Sequence, residues 1–373
     1  VIVGVPTEVK DNEFRVALTP EGARELVDHG HTVLIQDGAG DGSSIPQERY
    51  VRSGAQIVPD ADAVWSKADM IMKVKEPIAS EYGRMRDGQI VFTYLHLAAT
   101  EDLTKALLSR GVSGVAYETV QLPDGRLPLL APMSEVAGRM APHVGARLLE
   151  KEYGGRGILM GGVSGVRPAK VLVLGAGMAG TNAAWIAAGM EAEVVVIDRN
   201  VDRLRQIDMV MRGRIMTLAS DRLTIEQRVR ESDVIIGTVL IPGARAPKLV
   251  TEEMVASMRP GSVVIDISID QGGSVETSHM TTHSDPTYVV HDIVHYAVGN
   301  MPGAVPNTST YALTNVTLPY ALAIAGQGLA GALRADPALA LGLNTFGGQL
   351  TNGPVGEAHG LEAVDLATAI PGL

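Results

Sequence analysis

The 373-residue chain contains no cysteine. Disulfides, a thiolate nucleophile and cysteine-ligated zinc are therefore excluded, and the absence suits a cytoplasmic protein. Aromatic residues are scarce, at 4%. The core must then rest on Val, Ile, Leu, Ala and Met, as in buried parallel strands covered by helices on both faces. Positive charge is in deficit: 31 Lys and Arg against 42 Asp and Glu leave a net charge of −11. With no basic tail, that balance argues against a nucleic-acid partner. Long hydrophobic runs are missing too. The most apolar stretch, residues 171–190, is broken by Gly175, Gly177 and Gly180 and carries Thr181 and Asn182. It reads as strand, loop and helix rather than a membrane span. The opening residues Val1 to Val5 lead straight into Pro6, Thr7 and Glu8, without the pattern of a secretory signal.

What is present is an alternation of short apolar strands with amphipathic helices, the pattern of parallel α/β folds. Thr19-Pro20-Glu21 opens a helix, with Thr19 as cap and Pro20 at the first helical position, and Gly30 stops it. Strands are expected at residues 1–5, 31–36, 56–58, 69–75, 89–95 and 112–116. A long helix follows over residues 133–153, with Pro142 as a possible kink. After a glycine-rich connection (Gly154 to Gly162), a second alternation has strands at 171–174, 193–197, 214–218, 234–237, 262–267 and 287–290. The tail from Pro306 reads as largely helical. The expected architecture is α/β in two domains. A Rossmann-type doubly wound parallel sheet spans 131–305, and a second α/β substrate domain is formed by both chain ends, 1–130 and 306–373.

Val171-Leu-Val-Leu-Gly175-Ala-Gly177-Met-Ala-Gly180 follows a strand pattern and precedes a helix pattern. In that context the glycines form a dinucleotide fingerprint. Gly175 permits the tight turn, Gly177 the approach of a pyrophosphate, and Gly180 close packing of helix on strand. Asp198 ends the next strand, where a carboxylate accepts hydrogen bonds from the adenosine ribose and repels a 2′-phosphate, so NAD is favoured over NADP. Arg203, on the following helix, is placed to flank the adenosine. Arg199 beside the acid is a cation that would tolerate a 2′-phosphate.

Reactive groups in open α/β sheets collect beyond the carboxyl ends of strands. Arg15 follows the first strand, Lys75 and His96 end two others, and Asp270 follows residues 262–267. Two such strand edges facing one another would form a cleft. These residue types suit oxidation at an amino-bearing carbon. Arg15 can hold a carboxylate in a bidentate fork, and Lys75 can bind the carboxylate and polarise a carbonyl or imine. His96 suits acid–base work near neutral pH, and Asp270 can activate water. Each has an alternative role. Arg15 would pair with Glu13 or Glu8, Lys75 would be a solvated strand end, His96 would cap its strand, and Asp270 would shape the turn before Gly272-Gly273. Asp266, among Val264, Ile265 and Ile267, reads as buried and structural.

Longer blocks carry a resemblance. They are Gly4-Val-Pro-Thr-Glu8, Asn12-Glu-Phe-Arg-Val-Ala-Leu-Thr-Pro20, Val74-Lys-Glu-Pro77, Thr93-Tyr-Leu-His-Leu-Ala-Ala99, Tyr117-Glu-Thr-Val120, Leu130-Ala-Pro-Met-Ser-Glu-Val-Ala-Gly-Arg139, Val239-Leu-Ile-Pro-Gly243, Ile269-Asp-Gln-Gly-Gly273 and Asn300-Met-Pro-Gly-Ala-Val-Pro306. Together they resemble the bacterial alanine dehydrogenase family over nearly the whole chain, thinning beyond Gly342. The resemblance implies NAD-dependent, reversible oxidative deamination of L-alanine to pyruvate and ammonium. It assigns Arg15 and Lys75 to substrate binding and His96 and Asp270 to proton transfer. It places Ser134, Gly177, Met178, Ala179, Asp198, Arg203, Ser220, Val239, Leu240, Ile267, Asp270, Asn300 and Met301 around the cofactor, and implies a homohexamer. Ser274, Arg199 and His279 depart from the family pattern. Ala323 and Gln327 offer no ligand pair for the metal some relatives carry, so no metal is expected. The competing expectation is the soluble NAD(H)-binding component of a proton-translocating transhydrogenase. That component has no small-molecule substrate and no need for Arg15, Lys75 and His96 together.

Overall fold

The computed structural model describes residues 1–239 and 246–372, so Leu240 lies outside the described residues. The chain divides into two compact units, Val1–Met133 with Val305–Leu373, and Ser134–Ala304.

The first unit is built on six parallel strands: β1 (Ile2–Val5), β2 (Thr32–Gln36), β3 (Gln56–Val58), β4 (Met70–Met72), β5 (Ile90–Thr93) and β6 (Ser113–Ala116). Their spatial order is β3-β2-β1-β4-β5-β6. The helix Pro20–Asp28 starts as its sequence dictates: Thr19 Oγ1 accepts the Gly22 N–H at 3.3 Å and Pro20 needs no partner for the N–H it lacks. One face of the sheet is sealed by Val64, Trp65, Ile71, Val91, Leu95, Leu103 and Leu107. Burying each such side chain contributes about 1.5–3 kcal/mol.

The second unit holds β7 (Lys170–Leu174), β8 (Glu193–Asp198), β9 (Met216–Ala219), β10 (Val234–Gly237), β11 (Val263–Asp266), β12 (Thr287–Val290) and β13 (Ile293–Tyr296), in the order β9-β8-β7-β10-β11-β13-β12. All pairs are parallel except β12 with β13. Val171, Val173, Val194, Val196, Val234 and Ile236 enter one core; Leu172, Leu174, Val195, Ile197 and Ile235 enter another on the opposite face. This period-two alternation explains why strands without polar residues are stable here, since helices cover both faces.

The α/β, two-domain class holds, with differences in detail. The tail from Pro306 is largely helical, as expected, but it also contributes two short strands: Leu343–Phe346 pairs antiparallel with β6, and Gln349–Leu350 pairs antiparallel with it in turn. These strands cover the otherwise open edge of β6. β13 was not expected, and the helix predicted over 133–153 runs instead over Ala131–Leu148. β4 and β5 stop at Met72 and Thr93, so Lys75 and His96 stand in the loops beyond their strands. His96 has φ +48°, a left-handed conformation that no strand residue adopts. Among the described residues no helix is long and apolar enough to cross a membrane.

Candidate active site

In the second unit the order β9-β8-β7-β10-β11-β13 reverses direction between β7 and β10. Such a switch point opens a crevice beyond the carboxyl ends of the two strands, where α/β sheets bind ligands. The loop from Gly175 enters it and leads into the helix Met178–Gly189. Gly175 has φ +106°, and a Cβ there would lie 2.8 Å from Thr238 Oγ1. A Cβ at Gly180 would strike the Gly175 carbonyl. Gly177 differs. Its φ is −77°, and the nearest atom to a built Cβ is Arg203 Nη1 at 4.0 Å. The protein itself would accept a side chain here, so the open space above a helix N-terminus fits the pyrophosphate of a dinucleotide. We therefore expect Gly177→Ala to fold with unchanged Tm but to bind NADH roughly tenfold more weakly or worse, a loss of about 1.4 kcal/mol. Titration of NADH fluorescence would check it, and unchanged affinity would refute this use of the loop.

Asp198 ends β8. Its Oδ2 accepts the Ala176 N–H and its Oδ1 the Asn200 N–H, both at 2.6 Å. The carboxylate is thereby fixed beside the glycine loop, and each oxygen keeps a lone pair for a ribose hydroxyl. Arg203 is exposed on the next helix. Ser220 donates its N–H to the Asp198 carbonyl at 3.0 Å. Val239 follows β10. Ile267 and Asp270 lie in the 3-10 turn after β11, and Asn300 and Met301 follow β13. The Gly299 Cα is close enough to Asp270 that a Cβ would sit 3.2 Å from its Oδ1. Asn300 has φ +67°, and its carbonyl meets His283 Nε2 at 3.0 Å. The helix Ala131–Leu148 carries Ser134. At Gly138 it approaches so closely that a Cβ would strike the Ala179 carbonyl. Met178 is half exposed at the helix start. Asp266 is buried and accepts N–H bonds from Ser268, Ser274 and Val275. Burial pushes its pKa up despite those bonds, and the residue is structural.

The first unit repeats the same strand order, so it has its own switch point between β1 and β4. The loop after β1 carries Glu8, Glu13 and Arg15, the loop after β4 carries Lys75, and the loop after β5 carries His96. Arg15 is 2% exposed. Its Nε and Nη2 hold the two Glu13 oxygens at 2.6 and 2.5 Å, and its Nη1 lies 3.0 Å from the Met133 sulphur. The fork-to-fork pair fixes the guanidinium plane. Lys75 is half-buried, and its backbone N–H lies 3.4 Å from Glu8 Oε2 while Val74 N–H donates to Glu8 Oε1 at 2.6 Å. His96 is stacked on Tyr94, ring centroids 5.9 Å apart. The Tyr94 hydroxyl donates to the Leu129 carbonyl at 2.6 Å, and burial raises its pKa. Phe92 and Tyr117 extend this ring cluster, so scarce aromatics gather behind the histidine.

Sequence reasoning named Glu13 as a partner for Arg15 but missed the carboxylates around Lys75 and His96. Lys73, two residues before Lys75, is fully buried with Glu8 at 3.2 Å and Glu81 at 3.0 Å. Burial alone would lower its pKa, but the two carboxylates outweigh it and raise it. Burial raises that of Glu8, against the pull of Lys73. Glu76 is buried and paired with Lys10. Burial would raise it, but the His96, Lys10 and Lys75 charges hold its carboxyl below the usual range. Glu118 accepts the N–H groups of Leu95 and His96. The one sequence signal was that Glu8 and Glu118 fall inside the blocks that carry the resemblance.

The structure thus joins a dinucleotide-type unit to a second doubly wound unit with arginine, lysine and histidine at its strand exits, an arrangement of the two-domain dehydrogenase class. Comparison with known proteins specifies the family. Residues 4–137 match the family model "Alanine dehydrogenase/PNT, N-terminal domain", and residues 141–353 match "Alanine dehydrogenase/PNT, C-terminal domain". An alanine dehydrogenase of Mycolicibacterium smegmatis is 56% identical over 366 residues, 98% of this chain and 99% of its own. A solved L-alanine dehydrogenase superposes with TM-score 0.93 at 50% identity, covering 96% of this chain and 99% of that one. A transhydrogenase from Sinorhizobium meliloti superposes with TM-score 0.81 at 26% identity, covering 94% and 100%. The chain belongs to the alanine dehydrogenase/PNT family of NAD-binding oxidoreductases.

Proposed function

We propose that the chain catalyses the NAD-dependent, reversible oxidative deamination of L-alanine to pyruvate and ammonium. One observation carries the reading: Arg15, Lys75 and His96 stand at three strand exits of one unit, in a chain 56% identical to an alanine dehydrogenase. In this reading Ser134–Ala304 is the cofactor unit, and the unit made of both chain ends binds substrate. When bound, NAD supplies the hydride acceptor. Its binding set is Ser134, Gly175, Gly177, Met178, Ala179, Gly180, Asp198, Arg203, Ser220, Val239, Leu240, Ile267, Asp270, Asn300 and Met301. Asp198, with its carboxylate anchored at the glycine loop, favours NAD over NADP by repelling a 2′-phosphate.

Arg15, held rigid by Glu13, binds the substrate carboxylate. Lys75 binds the substrate carboxylate and, by donating to the carbonyl oxygen of the 2-oxo acid, polarises its carbon. His96 takes and returns the proton at that centre through its imidazole, while the Asp270 carboxylate takes a proton from the water that hydrolyses the imine. Ala323 and Gln327 offer no ligand pair for a metal, and none is invoked in the reaction. The family resemblance further supports a homohexamer, which a mass measurement in solution tests.

The assay is direct. Protein, NAD and L-alanine at alkaline pH are expected to form NADH, with NADP at least roughly tenfold poorer, a difference of ~1.4 kcal/mol. Absence of alanine-dependent NADH, with hydride exchange between dinucleotides in the presence of a partner subunit, would establish the transhydrogenase component instead.

A further inference from the structure

We propose that Glu118 is a positioning residue that sets the catalytic imidazole of His96 through the backbone; the proposal rests on the acid–base role given to His96 above. At the end of β5 the chain leaves the sheet, and its next N–H groups lose their strand partners. Glu118 replaces that partner. Its Oε1 accepts the His96 N–H at 2.6 Å, and the Leu95 N–H lies 3.1 and 3.2 Å from its two oxygens. His96 is thereby held at φ +48°, ψ 37°, a conformation that costs a non-glycine residue energy and persists only where the surroundings impose it. The side chain of His96 makes no close bond to the acid: Nδ1 stands 4.0 Å from Oε1. The control runs through the main chain and aims the ring without occupying its nitrogens.

The clamp is itself braced. Glu118 belongs to the 3-10 turn Tyr117–Thr119 after β6. Asn344, on the C-terminal strand Leu343–Phe346, donates to Thr119 Oγ1 at 2.7 Å, and Ala116 N–H donates to the Gly342 carbonyl at 2.7 Å. On the far side of His96, the Leu97 carbonyl is held by His359 Nε2 at 2.6 Å. The histidine corner is therefore tied before and after by elements from distant sequence. Glu8 makes the analogous pair of contacts with the N–H groups of Val74 and Lys75, so the device recurs at the neighbouring strand exit.

Glu118→Gln keeps size and one acceptor oxygen but turns an NH2 toward one of the two N–H donors; Glu118→Ala removes both acceptors. We expect kcat to fall by about ten- to a hundredfold in the Gln variant and further in the Ala variant, as misplacement of a reacting group by an ångström costs. Pyruvate KM and NADH Kd should stay within about threefold, because Arg15, Lys75 and the dinucleotide loop are untouched. A Gln variant with wild-type kcat overturns the proposal. So does one that fails to fold, or whose Tm and NADH affinity fall in step with kcat, since the contact is then merely structural. The wild type assayed alongside separates the two levels: an inactive wild type refutes the reaction, whereas an active one matched by Glu118→Gln refutes only the positioning role.

Discussion

His96→Ala is expected to lower kcat in both directions by about 10²–10⁴, the usual worth of a positioned general acid–base, while NADH binds as in the wild type. The separation follows from where the residue stands. His96 lies beyond β5 in the unit formed by the chain ends, whereas the glycine loop, Asp198 and the Asn300 turn all belong to Ser134–Ala304. Its ring rests on Tyr94 and is 40% exposed, so its loss opens no large cavity and Tm should hardly move. Stopped-flow turnover together with fluorescence titration of NADH checks both halves. Weakened NADH binding at retained turnover would remove His96 from the chemistry.

Lys73→Met should produce the largest loss of stability, about 3–5 kcal/mol, because removing one partner of a buried ion pair leaves the other charge without compensation. Here two carboxylates, Glu8 and Glu81, are left facing each other in the interior. Glu8 also holds the Val74 and Lys75 amides, so substrate affinity should suffer with the fold. Urea unfolding of both proteins gives the difference. The pH dependence has a definite sign. With its folded pKa raised above the ordinary 10.5, Lys73 stabilises the wild type fully below pH 10.5, and this is lost as pH rises through the folded value. Glu8, already raised above 4.5 by burial against the pull of Lys73, must rise further without that lysine. The deficit of the variant therefore shrinks as pH falls and the carboxyl takes up its proton. A deficit that is flat or widens on acidification would refute the account of the triad.

The residues legible in the sequence were those whose role is local. Gly175, Gly177, Gly180 and Asp198 are read from a strand, a turn and the next strand, and Thr19-Pro20 from one helix start. Those that escaped act across long separations. Lys73 and Lys75 are indistinguishable in sequence, and only contacts with Glu8, more than sixty residues away, bury one and shape the loop of the other. Arg15 was given two partners, and the structure selects Glu13. The C-terminal strands are short, and Leu343–Phe346 is recognisable only by its pairing with Val115 and Gly114. Yet that strand braces the turn bearing Glu118. β13, with His295 in its middle, gave no clean apolar signal and is defined by its neighbours β11 and β12.

Both units arrange their six parallel strands in the same sequence-to-space order, and this carries a consequence for engineering. In the proposed function each chemical choice is written in loops mounted on a different hydrophobic scaffold. If the proposed roles hold, rewriting the residue at the end of β8 is expected to change the coenzyme accepted without disturbing the anchor for the organic acid, and recutting the loops beyond β1, β4 and β5 to change the acid without retuning the coenzyme. On that reading the two preferences are separable traits, open to independent selection.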